Sequence, residues 1–121
     1  MNDARNIIHT SLTAVMAGIA VILALPGSTF ATSHSFDLMA RLMPEDAWAM
    51  VFWFVASLGL CGAVTPSVRI RLASVMALST MHGVFALCLV LANPISTGAV
   101  TYTVLACQGY YLVWRRTREG L

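Results

Sequence analysis

The longest apolar run in the chain extends from Leu72 to Ala92 without a charge or a proline, between Val68-Arg69-Ile70-Arg71 and Asn93-Pro94. At a rise of about 1.5 Å per residue, a helix of that length crosses the ~30 Å hydrocarbon core of a bilayer. Three more stretches repeat the pattern. Thr10 to Leu25 is uncharged and closes on Pro26-Gly27, Ala47 to Val64 closes on Thr65-Pro66-Ser67, and Ala99 to Trp114 runs into Arg115 and Arg116. The pattern predicts an all-α integral membrane protein built as a single domain over residues 1–121. Its four transmembrane helices, at about residues 8–26, 46–64, 70–92 and 97–115, run up and down.

The connections refine this picture. Residues of about 27–45 form the long loop, in which Phe36, Met39, Ala40 and Met43 recur at i, i+3, i+4 and i+7. That spacing predicts a short helix after the first span that suits the membrane interface, with a plain connecting helix of no separate role the preferred reading. Pro44-Glu45-Asp46 reads as a helix start, with proline in the first turn and acids complementing the dipole. Trp48 and Trp53 fall near that end of the second span, where interfacial aromatics gather. Asn93-Pro94 is a turn signal, and Ser96 or Thr97 can cap the next helix, so the third and fourth spans form a hairpin. Small residues mark helix-packing faces: Ala14 and Gly18 in the first span, and Gly59 and Gly62 in the second. No internal repeat relates the two halves, which removes the basis for an inverted-repeat transporter.

Composition supports a membrane protein. Hydrophobic residues make up 59% of the 121 residues and charged ones 10%, with a mean hydropathy of +0.80. An ordinary soluble domain carries roughly 25% charged residues. A net charge of +2 with no basic stripe excludes a nucleic-acid partner. All seven basic residues are arginine, and their distribution sets the topology. Arg5, Arg69, Arg71, Arg115, Arg116 and Arg118 fall on one side of a four-span chain, and Arg41 on the other. The positive-inside rule then places both termini in the cytoplasm of a bacterial inner membrane. The first span with Arg5 before it also fits a signal peptide cut after Ala31, an alternative that still leaves the long loop outside.

The candidate chemistry is sparse. His82 is an ionisable group at mid-span, with Ser79 one turn away and Gln108 facing it across the hairpin in the expected arrangement. These three are the possible functional polar residues, either as a protonation site or as helix–helix glue. In the second case His82 bonds Ser79 or a backbone carbonyl. Cys61, Cys88 and Cys107 lie in apolar runs at different depths and read as small buried hydrophobes rather than metal ligands. No catalytic motif, metal site or cofactor loop is present, so the sequence indicates no enzyme, no metal and no cofactor. A four-span multidrug transporter would carry a glutamate in its first span, and this span has none.

Leu42-Met43-Pro44-Glu45-Asp46-Ala47-Trp48, Leu91-Ala92-Asn93-Pro94-Ile95-Ser96-Thr97-Gly98 and Thr101-Tyr102 resemble a group of small phage and prophage membrane proteins. The resemblance covers about residues 36–114 and carries turn and interface signals rather than chemistry. It implies a protein that oligomerises in the bilayer, holin-like, to permeabilise the membrane, with a homo-oligomer or a second membrane protein as partner. The alternative is a non-lytic membrane partner, such as a superinfection exclusion factor or a small subunit of a complex.

Overall fold

A computed structural model describes residues 2–25, 27, 29–93 and 97–120, with the side chains of residues 2–4 and 32 excepted. Among the described residues the chain is entirely helical. The helices are α1 (Asn2–Ala24), α2 (Asp37–Leu42), α3 (Glu45–Val64), α4 (Val68–Ala92) and α5 (Thr97–Arg118), with two 3-10 turns at Phe30–Thr32 and His34–Phe36. Three helices are long and apolar enough to cross a membrane: Arg5–Ala24, Glu45–Val64 and Val68–Ala92. At 22 residues α5 is long enough too. It fails on apolarity, because Thr97, Thr101, Thr103, Gln108 and the tyrosines dilute its hydrophobic run.

Local signals account for the helix ends. Ser67 caps α4 by accepting from the Ile70 N–H, and the Asn93 N–H closes its last turn on the Leu89 carbonyl at 2.8 Å. Glu45 and Asp46 occupy the first turn of α3, where acids favour the dipole. Glu45 also accepts from the backbone N–H of Thr29 at 2.9 Å and Phe30 at 3.4 Å, tying the long loop to the bundle. After α1 the chain turns at Gly27 with φ +108°, a conformation that side chains rarely adopt. Pro26, Pro94, Ile95 and Ser96, which the sequence reading used as turn and cap signals, lie outside the described residues.

In space the long helices follow the order α1, α3, α4, α5, each packed on the next, and α4 with α5 forms the expected side-by-side pair. α1 touches α4 and α5 only lightly. The core runs along the interior: Leu12, Met16, Phe52, Leu78 and His82 are fully buried. The short helix expected at the membrane interface is present as α2, but its apolar side is spent inward. Met39 is fully buried, and Phe36 stacks on Phe30 at 5.5 Å and on Phe85 of α4 at 6.5 Å. Trp48, expected at the membrane interface, is also buried. Its indole N–H donates to the Met39 carbonyl at 2.9 Å, whereas Trp53 does face outward. A buried indole needs that acceptor, and α2 supplies it.

Candidate functional site

His82 sits in the middle of α4 with no solvent exposure. Its Nδ1 lies 2.7 Å from the Leu78 carbonyl, one turn earlier on the same helix. A carbonyl only accepts, so Nδ1 carries the hydrogen and a neutral ring presents Nε2 as a bare acceptor. Nε2 is buried without a hydrogen-bond partner among the described residues. The ring faces Tyr102 at 6.2 Å, beside the Phe85–Tyr102 contact at 4.5 Å. The backbone carbonyl anticipated for His82 is therefore its partner, and Ser79 and Gln108 are not.

Each of those two residues goes elsewhere. Ser79 Oγ donates to the Val75 carbonyl at 2.8 Å and packs beneath Gly109 of α5. Gln108 is exposed on the outer face of α5, away from His82, with no hydrogen bond to it among the described residues. Helical geometry explains the miss. Ala106 and Gly109 form the α5 face turned to α4, and Gln108 falls a third of a turn away from that line. The polar contact the hairpin does make is between Thr80 Oγ1 and Tyr110 Oη, at 2.8 Å near the surface.

The two pairs of small residues also part company. A Cβ on Gly59 would lie 2.6 Å from Thr13 Oγ1, and one on Gly62 would meet Ser74 Oγ and approach His9 Cε1 at 3.2 Å. These glycines let α1 and α4 close on α3. Ala14 and Gly18 instead face outward, with nothing near the Gly18 position. Of the cysteines only Cys88 is buried, and Cys61 and Cys107 line the exterior. Among the described residues no three His, Cys, Asp or Glu side chains come close enough to hold a metal ion.

The sequence reading missed the role of His9. It is buried at the start of the α1 apolar run, and its Nε2 lies 3.3 Å from Ser74 Oγ of α4. The signal was available: Gly59 and Gly62, spaced for close approach, open the room that an imidazole fills. Beside His9, where α1 drifts from α4 and α5, a cavity of about 270 Å³ opens. Arg5, Arg71 and Arg116 line it together with Asn6 and His9, and Val68, Leu72, Val75 and Leu112 complete its apolar wall. Arg71 donates through Nη2 to the Thr65 carbonyl at 2.9 Å, while its buried Nε has no hydrogen-bond partner among the described residues. A buried N–H left so costs about 1–3 kcal/mol. Arg115 and Arg116 share Glu119, at 2.9 Å and 3.8 Å, and Arg118 stacks over Trp114 at 4.8 Å. The arginines used for topology, Arg69 included, thus gather with Arg5 at one end of the bundle, opposite Arg41. No protein-family model matches the chain, and neither the curated proteins nor the solved structures include a match to it.

Proposed function

We propose that this is a four-span inner-membrane protein of phage type that acts by lateral assembly in the bilayer, holin-like, with both termini cytoplasmic. The observation that carries the reading is the outer face of α5. Thr97, Thr101, Val104, Gln108, Tyr111 and Arg115 recur at alternating steps of four and three, and all six are exposed. They form one stripe down an exposed helix face, and Thr97, Thr101, Gln108 and Arg115 make it largely polar. Were α5 to cross the bilayer alone, the Gln108 amide would face hydrocarbon near mid-depth. An unsatisfied polar group there costs several kcal/mol, whereas a second subunit or water satisfies it. The outward Ala14 and Gly18 give α1 a second surface for close helix approach.

Expression in bacteria with a membrane-potential dye tests this reading. The wild-type chain should depolarise cells abruptly, and Gln108→Leu should delay or abolish the event at equal membrane abundance. Normal potential in wild-type cells, with resistance to a second phage, would instead favour the exclusion reading.

A further inference from the structure

We infer that the cavity between α1, α4 and α5 is a binding site for a phosphate-bearing anion with an apolar portion, of which a lipid headgroup with its acyl chain is one source and a soluble phosphate another. Four observations converge on it. The cavity, of about 270 Å³, is lined by three guanidinium groups, from Arg5, Arg71 and Arg116. Guanidinium forks match tetrahedral oxyanions and stay charged at any physiological pH. Arg71 keeps a buried Nε without a hydrogen-bond partner among the described residues.

Charge balance at this end points the same way. The sequence places six arginines there against Asp3 and Glu119, and Glu119 is already divided between Arg115 and Arg116. α1 and α4 begin at this end and α3 and α5 finish there, so the helix dipoles offset one another and the positive field comes from the guanidinium groups themselves. Finally, the cavity has an apolar lining one turn deeper than two of its arginines, with Val75 four residues past Arg71 and Leu112 four residues before Arg116. A bare inorganic ion would leave that lining unused, and an amphiphilic phosphate would cover it. The site does not depend on lateral assembly, since every lining residue belongs to one chain.

The test uses the purified full-length chain in neutral detergent, followed by its unfolding temperature. Short-chain phosphatidylglycerol, short-chain phosphatidylcholine and inorganic phosphate are titrated separately. A saturable upward shift with phosphatidylglycerol alone identifies a lipid headgroup, and one with inorganic phosphate as well identifies the phosphate group itself as sufficient. Either supports the site. Phosphatidylcholine, whose phosphate is masked by a cation, should give at least tenfold weaker half-saturation.

The double variant Arg71→Gln with Arg116→Gln should weaken binding at least tenfold. Arg69→Gln with Arg118→Gln removes equal charge outside the cavity and should change it less than twofold. Should Arg71→Gln fail to fold because it loses the Thr65 contact, Arg116→Gln alone is expected to weaken binding at least threefold. Equal weakening by both doubles would reduce the effect to diffuse charge and overturn the site, as would the absence of any saturable shift.

Discussion

The two ends of the bundle solve the same problem, closing a set of helix termini, with opposite chemistry. At the loop end, aromatic rings close the space. Phe30, Phe36, Phe85, Phe52 and Trp48 form a chain of contacts at 5.5–6.5 Å, with Tyr102 against Phe85 at 4.5 Å. At the other end the guanidinium groups of Arg5, Arg71 and Arg116 line a cavity instead. Rings gain dispersion whether stacked, as Phe36 on Phe30, or edge to face, as Phe52 with Phe85, whereas like charges in a partly dehydrated space gain only from an opposite charge between them. The loop end is filled by side chains of one chain, and the basic end keeps the cavity proposed above to hold a phosphate-bearing anion. The two buried histidines follow the division: His9 meets a hydroxyl at the basic end, and His82 lies beside the rings with its Nε2 unpartnered among the described residues.

Substitutions at each end should separate these modes of closure. The largest effect is expected from Phe85→Ala, which removes the ring on which Phe36, Phe52 and Tyr102 converge. A loss of about 3–5 kcal/mol is expected, measurable by denaturant unfolding in detergent, as for other buried aromatic truncations. Gly62→Ala acts at the basic end, where the new methyl would meet Ser74 Oγ and lie 2.6 Å from its Cβ. Overpacking should cost about 1–3 kcal/mol. Solvent access to position 74, followed by reactivity of a Ser74→Cys probe, should rise with it.

Trp48→Phe keeps a ring but removes the N–H that holds α2 through the Met39 carbonyl. It should cost about 1 kcal/mol and raise proteolytic cleavage within the long loop. The smallest effect is expected from His82→Leu. Leu78 keeps its ordinary helical hydrogen bond, no side chain loses a partner, and a buried unsatisfied acceptor disappears. Stability should change by less than about 1 kcal/mol, or rise. A large loss of stability would show that Nε2 has a partner.

The all-helical fold and its three long apolar helices were legible in the sequence, because apolar length needs no partner to be read. The α3 and α4 boundaries follow from Pro44-Glu45-Asp46 and Ser67 for the same local reason. What depended on helix rotation was not legible. A shift of one residue turns a side chain by about 100°, and that separates Gly109, buried on Ser79, from its outward neighbour Gln108. Ala14 with Gly18 and Gly59 with Gly62 have similar composition, yet only the second pair is packed within the chain. Nothing in either pair alone says which helix will come near. Trp48 was misplaced because its partner is the Met39 carbonyl of α2, and the apolar spacing that predicts α2 does not say which helix it packs against.

In the proposed four-span arrangement α5 crosses the bilayer although its polar outer stripe makes it less apolar than the other three long helices. Cysteine labelling in intact cells measures this most directly, in a chain with Cys61, Cys88 and Cys107 replaced by alanine. Single cysteines at Ser33, Arg69 and Arg118 would be treated with a membrane-impermeant maleimide before and after permeabilisation. Ser33→Cys should react in intact cells, and Arg69→Cys and Arg118→Cys only after permeabilisation. Labelling of Arg118→Cys from outside, with Arg69→Cys still protected, would leave α5 on the external side and contradict that arrangement.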